Sequence, residues 1–210
     1  MTKQNTSHAV MNQRTAPPDE LDFYPTPPWA TRALIHQLGP DRYQGRSVID
    51  PAAGRGHMVR PLKEYFALAD GADIHDYGAG FPVRDFLQLP PVKADGMRYD
   101  WIVTNPPFKL AEEFALHGLK SAMEGVALLV RTNFLESAGR YNRLFLFDPP
   151  SHIFQFVERV PMVKGRYDPK ASTATSYCWL VWRHRWQGKH PTFHWIEPSR
   201  KSMEMDDDQM

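Results

Sequence analysis

A single cysteine, Cys178, stands in the 210 residues. One cysteine excludes an intramolecular disulfide framework and a cysteine-rich zinc site. No apolar run approaches the ~20 residues of a membrane span, and the first twenty residues lack the apolar stretch of a secretory signal. Net charge is nearly absent: 25 Lys and Arg against 24 Asp and Glu give +1. A nucleic-acid partner therefore cannot be read from total charge, and any basic surface has to be local. The nine histidines show no metal-ligand spacing beside acids or cysteines, so no metal is expected. There is no internal repeat. What remains is an ordinary mix, 42% apolar and 23% charged, that suits a cytoplasmic protein. Its length allows one α/β domain with a real core and little more.

The chain alternates helix and strand. Residues 1–20 are polar and Pro-rich and read as a flexible arm. Residues 21–198 read as one domain, and 199–210 as an acidic, solvated tail. Thr26-Pro27-Pro28 marks a helix start, with Thr26 as N-cap and proline in the first turn. Ala30, Leu34 and Leu38 follow at helical spacing, and Gly39-Pro40 stops the helix. Ser47–Asp50 is a short strand. A glycine-containing loop follows, then a helix with Met58, Leu62 and Phe66 on one face. A weak strand is expected near Ala72–Ile74, a loop or short helix at Asp85–Leu87, a strand over Tyr99–Thr104 and a helix over 109–122. Val126–Val130 is a continuous apolar run, as in a strand buried on both faces. Ile153–Val157 and Tyr177–Trp182 are the last two strands expected, and they suit an antiparallel pair. The pattern predicts a mostly parallel sheet with helices on both faces.

In such a sheet ligands sit beyond the carboxyl ends of the strands. The loop Asp50-Pro51-Ala52-Ala53-Gly54-Arg55-Gly56 lies there. Its small residues let backbone approach a ligand closely, and Asp50 can accept a hydrogen bond from a ligand ammonium or from loop amides. The loop lacks Gly-Lys-Ser/Thr and the full Gly-x-Gly-x-x-Gly, so it is not a nucleotide-phosphate cradle.

The most specific signal is Asn105-Pro106-Pro107-Phe108, directly after a hydrophobic strand. An exocyclic amino nitrogen on a base is a poor nucleophile, because its lone pair is delocalised into the ring. Two acceptors aimed at its two hydrogens pull it toward tetrahedral geometry and localise that pair. The Asn105 side-chain carbonyl and the Pro106 backbone carbonyl suit this role, and two successive prolines hold them preorganised. Phe108 offers a face for stacking the base.

With this motif and the upstream loop, residues 22–185 resemble the amino-methyltransferases of the Rossmann-like class I fold, especially small phage and prophage N6-adenine DNA methyltransferases. The resemblance implies S-adenosylmethionine as cofactor and direct in-line methyl transfer to a flipped adenine, in a bacterial host cell. It places Tyr24 and Thr26, within Phe23-Tyr24-Pro25-Thr26-Pro27, against the methionine part of the cofactor, and Asp50, Pro51, Ala53, Gly54 and Gly56 in the cofactor loop. Asp73, with Asp76 a close second, falls where a ribose contact is expected, and Asp85 with Phe86 where the cofactor's adenine is held. Asn105, Pro106, Pro107 and Phe108 take the catalytic position, with Asn105 also beside the cofactor. Sequence-specific members usually carry a separate target-recognition domain, and no segment here is long enough for one. RNA guanine-N2 and protein-glutamine methyltransferases use closely similar motifs, so RNA, protein, or a catalytically inactive DNA-binding module stand as alternatives to DNA.

Three further features have a reading. Cys178 lies inside a strand and reads as a buried structural residue, not a nucleophile. Trp186 and Trp195 read as covering an apolar edge. Residues 151–190 hold seven cations against Glu158 and Asp168, a net +5 in a chain of +1. Within them, the segment joining the last two expected strands carries Lys164, Arg166, Tyr167 and Lys170. Cations, hydroxyls and one aromatic suit phosphate contacts and base stacking, so these four are the candidate nucleic-acid residues. The segment is expected to be disordered until nucleic acid binds.

Overall fold

A computed structural model describes residues 22–168, 171, 173–188 and 190–209. The expected arm over 1–20 lies outside the described residues, as do Lys170 and Lys189.

Seven strands form one sheet: β1 (Ser47–Asp50), β2 (Leu68–Gly71), β3 (Trp101–Thr104), β4 (Gly125–Arg131), β5 (His152–Phe156), β6 (Tyr177–Arg183) and β7 (Thr192–Ile196). Their spatial order is β2-β1-β3-β4-β6-β5-β7. All neighbours run parallel except β6, which is antiparallel to both β4 and β5. The expected α/β class, the mostly parallel sheet and the antiparallel pairing of β5 with β6 are all present. The chain moves outward from β1 to β2, then returns to lay β3 on the other side of β1. That reversal leaves a crevice at the carboxyl ends of β1 and β3, where ligands bind in open α/β sheets.

Alternation along the strands divides the core in two. Val48, Trp101, Val103, Ala127, Leu129, Trp179 and Val181 face α1 (Pro28–Leu38) and α2 (Val59–Leu62). Ile49, Ile102, Val126, Leu128, Cys178, Leu180 and Trp182 face α3 (Ala111–Ser121). Helices thus cover both faces, and the central strands are buried throughout, as their uninterrupted apolar runs require.

Several boundaries differ from expectation. Thr26 is not the N-cap: α1 begins at Pro28, Pro27 is the cap, and no side chain caps it. Proline biases the residue before it toward extended backbone, so the last non-helical residue is Pro27 itself, at ψ 128°. The second helix is a single turn, yet Met58, Leu62 and Phe66 are buried as their spacing implied. The second strand precedes Ala72–Ile74: it pairs in register with the four residues of β1, and Asp73 leaves the sheet to bridge Val83. Strand β7 was not foreseen, since His194 and its aromatic neighbours Phe193 and Trp195 are all exposed and show no alternation. Trp186 and Trp195 are themselves 37% and 62% exposed, so they cover little of the edge.

The acidic end is docked through Asp208, while Asp206 and Asp207 stay exposed. After the one-turn helix at Arg200–Met203, a 3-10 turn at Asp206–Gln209 brings Asp208 to 4% exposure. Both its carboxylate oxygens accept 2.8 Å bonds from Arg32 on α1, which is itself 3% exposed and also bonds Glu64. The reason is electrostatic: a buried guanidinium needs anions, and this one is satisfied by two carboxylates and the Met203 carbonyl. We expect Asp208→Ala to lower stability in urea unfolding by roughly 3 kcal/mol, the low end for breaking a buried pair, because Glu64 still holds Arg32. A loss under ~0.5 kcal/mol, the range of ordinary surface changes, would show that the docked end contributes nothing to the fold.

Candidate active site

β1 ends at Asp50 and β3 at Thr104, both almost fully buried. The Thr104 hydroxyl donates to Asp50 Oδ1 at 2.6 Å, and the Ala52 amide donates to the same oxygen at 3.1 Å. Burial pushes the Asp50 carboxyl up to about 7. The Thr104 and Ala52 bonds oppose that rise, and the charge of Asp73 adds to it. Asp73, 8% exposed, holds the loop from its other side: its oxygens accept from the amides of Gly54, at 2.9 Å, and His75, at 3.0 Å.

Between these strand ends lies a cavity of about 520 Å³, a size suited to a small-molecule ligand. Of the expected cofactor residues, Tyr24, Thr26, Asp50, Pro51, Ala53, Asp73, Asp85, Phe86 and Asn105 line it. Asp76 does not; it is exposed and accepts a bond from the Gly78 amide. Asp85 caps its own turn through the Leu87 amide. The Phe86 ring is packed against Phe114 and His117, with centroids 4.9 and 4.7 Å apart, so it is a core aromatic at the cavity wall.

Gly54 and Gly56 do not line the cavity. They adopt φ of 52° and 81°. A side chain at Gly54 would overlap the Phe23 ring, and one at Gly56 the Phe81 ring. The glycines thus make room for two aromatic rings folded over the loop; close approach of backbone to ligand is not the reason at these two positions.

Asn105 opens onto the cavity with its amide oriented. Its Nδ2 donates to the Tyr24 carbonyl at 2.9 Å and reaches Met162 Sδ at 3.6 Å. Only the nitrogen can donate to a carbonyl, so Oδ1 points away, buried and without a partner among the described residues. Pro107 lines the cavity, whereas Pro106 is buried beneath it. The Phe108 ring lies outside the cavity lining, 5.1 Å from the Tyr24 ring. The Arg131 guanidinium sits 3.9 Å from the Phe108 centroid, so Phe108 is not an open platform.

The expected nucleic-acid loop is partly built in. The Gly165 amide donates to the Phe23 carbonyl at 2.8 Å, tying the loop to the cavity rim. Val163 bridges Arg166, and Arg166 pairs with Asp168 at 3.2 Å. Lys164 is half-buried. Tyr167 is also half-buried: its ring lies 5.8 Å from that of His57 and its hydroxyl reaches Glu204. The described part of the segment therefore has a defined placement, and Tyr167 is engaged within the protein instead of projecting as a wedge. Lys170 lies outside the described residues.

Sequence reasoning missed His57 and Tyr77, and named Phe23 only as part of the Phe23–Pro27 segment. His57 lines the cavity, is 9% exposed, and its Nδ1 has no partner among the described residues. Burial, with Arg60 and Arg55 nearby, lowers its pKa to about 4, so it is neutral at physiological pH. The Phe23 and Tyr77 rings meet across the rim, tilted, with centroids 4.8 Å apart. None of the three has a periodic signature. Arg131 was missed too, although it had a signal: it is the first polar residue after the apolar run of β4, at a carboxyl end. Cys178 is fully buried, with its thiol pushed up to about 12 by burial.

The chain matches no protein-family model and no curated relative by sequence. Solved structures resemble it in fold. A candidate class I S-adenosylmethionine-dependent methyltransferase from Listeria monocytogenes aligns over 88% of this chain and 69% of its own, at 14% identity and a TM-score of 0.63. The modification subunit of a candidate type I restriction enzyme from Vibrio vulnificus aligns over 89% of this chain at 18% identity and a TM-score of 0.57. This chain spans about half of that subunit, 51% of its length. A candidate RNA methyltransferase from Pyrococcus horikoshii aligns over 77% of this chain and 86% of its own, at 15% identity and a TM-score of 0.58. The fold is that of the class I methyltransferases.

The raised carboxyl of Asp50 makes a pH prediction. Between its ordinary 3.8 and about 7, the unfolded chain has lost this proton while the folded one keeps it. Folding stability therefore falls as pH rises through that window. His57 drives the opposite trend below its ordinary 6.5, so the comparison has to be between proteins that share it. The stability of Asp50→Asn relative to wild type should grow from about pH 4 to about pH 7 and then level off, by thermal unfolding at a series of pH values. A difference flat across that window would mean that Asp50 ionises normally.

Proposed function

We propose that the protein transfers a methyl group from S-adenosylmethionine to an exocyclic amino nitrogen, with N6 of adenine in DNA the preferred acceptor. The observation that carries this reading is the Asn105 carboxamide. Its Oδ1 is buried and unpartnered, its Nδ2 is fixed by the Tyr24 carbonyl, and it faces a cavity that also holds Asp50 and Asp73. A buried acceptor left unmatched in the fold is costly and implies a donor brought by a ligand.

The cavity suits the cofactor on its own chemistry. S-adenosylmethionine carries a sulfonium and an ammonium, and it supplies an electrophilic methyl when bound. Two nearly buried carboxylates line the cavity, and no cation among the described residues counters the cost of charging Asp50. A cationic ligand would restore Asp50 to its ionised form. Asp50 is the acceptor for the ammonium, Asp73 for ribose hydroxyls, Asp85 for the adenine amine, and Tyr24 and Thr26 close the methionine end.

Asn105 then acts on the acceptor base. Its Oδ1 takes one amino hydrogen and localises the nitrogen lone pair toward the methyl. Bound S-adenosylmethionine would supply the methyl and leave as S-adenosylhomocysteine, and the acceptor nitrogen would shed its extra proton to solvent. Adenine N6 inside a duplex cannot reach a cavity at the strand ends, so the base is flipped. The fold shared with a restriction-modification subunit supports a nucleic-acid acceptor, and the shared fold of the Pyrococcus horikoshii protein makes RNA the arm to compare.

Labelled methyl transfer to DNA, RNA and protein in parallel, followed by nucleoside analysis, should place the label on N6-methyladenine in DNA. Asn105→Ala should keep cofactor affinity by calorimetry and lose ~10²–10³ in turnover, as expected for one preorganised polar contact. Near-normal turnover in that variant would sink the amino-transfer mechanism.

A further inference from the structure

We propose that Arg131 is the anchor for the phosphate of the acceptor nucleotide, and that the acceptor is therefore a nucleotide within a polynucleotide. This rests on the amino-methyl-transfer reading of the same site and assigns the residue that tells a nucleotide from an amide side chain.

Arg131 is the last residue of β4, at the carboxyl end of the sheet, where it pairs in register with Tyr177 on β6. Its guanidinium lies 3.9 Å from the centroid of Phe108, three residues after Asn105. The Tyr177 hydroxyl also touches it. Both contacts are neutral. Among the described residues no carboxylate pairs with Arg131, whereas Arg32, Arg46, Arg140, Arg143, Arg166 and Arg200 each have one. Its Nε is buried and has nothing to donate to.

A half-buried cation with an unsatisfied donor is costly, and stacking on an aromatic ring offsets only part of that cost. The guanidinium keeps donors in the planar fork that matches a phosphate, and Phe108 and Tyr177 hold that fork in place. The missing anion must arrive with the acceptor whose nitrogen meets Asn105. A nucleotide brings one on its own sugar; a glutamine side chain does not. The role is one of positioning: Arg131 fixes the sugar-phosphate while Asn105 fixes the amino group, so the base is held at two points.

The test uses the full chain and an oligonucleotide containing an adenine that the protein methylates, with single phosphates beside that adenine replaced by neutral methylphosphonates. Arg131→Ala should lower kcat/KM about 10- to 100-fold, mostly through KM, as for the loss of charge-assisted bonds. It should flatten the log–log salt dependence by ~0.9 and leave cofactor affinity unchanged. At one phosphate position the methylphosphonate should cost wild type a similar factor and cost Arg131→Ala nothing further. Arg131→Lys should recover the salt slope. If Arg131→Ala does not fold, the lysine variant carries the comparison: at the same position it should be less sensitive than wild type. Equal sensitivity at every position in wild type and variants overturns the anchor while leaving methyl transfer intact. Efficient turnover of deoxyadenosine monophosphate overturns the polynucleotide. Label found only on protein overturns this inference together with the function it rests on.

Discussion

The 2.6 Å hydrogen bond from Thr104 to Asp50 joins the ends of the two strands on which the site is built. β1 and β3 are adjacent only because the chain reverses its direction of travel across the sheet after β2. That reversal opens the crevice, and the bond fixes how far apart its two walls stand. On one wall the loop after Asp50 is held by Asp73 and roofed by Phe23; on the other, Thr104 leads directly into Asn105. The two walls are also tied through Tyr24, whose carbonyl orients the Asn105 amide. Each group at the site is therefore positioned by backbone of a different element, which is how an open sheet holds a small set of polar atoms still.

The charges at the site follow a common pattern. Asp50 is buried with two neutral donors, His57 is buried with an idle ring nitrogen, and Arg131 is half-buried on two aromatic residues. At Arg32, by contrast, a buried charge is fully paired, with Glu64 and Asp208. Unmatched groups of both signs gather at the carboxyl ends of the strands. Clusters of perturbed, incompletely satisfied groups in a cleft mark functional sites far more often than structural ones.

How much was legible in the sequence depends on what kind of signal each part carries. The apolar runs at Val126–Val130 and Tyr177–Trp182 announced the central strands, because strands buried on both faces have no polar residues to interrupt them. Asn105-Pro106-Pro107-Phe108 was legible because its chemistry lies in consecutive residues. The edge strand β7 was not, since three exposed residues in a row carry no burial pattern. The partners of Gly54 and Gly56 were hidden for another reason: Phe23 and Phe81 are far away in the chain, and nothing in a glycine says which ring will rest on it. The acidic residues near 208 read as solvated because composition describes the average member of a run, whereas one of them, Asp208, is chosen by a guanidinium 176 residues earlier.

That last distance bears on how the molecule is made. A ribosome releases Arg32 and the helix around it long before Asp208 emerges, and domains tend to organise from the N-terminal side during synthesis. Until then α1 carries a guanidinium that only Glu64 can answer, and an incompletely matched charge resists being packed away. That helix continues directly from the Phe23–Thr26 segment, which forms one wall of the cavity, so a ligand-site wall leads into the element whose buried charge Asp208 completes.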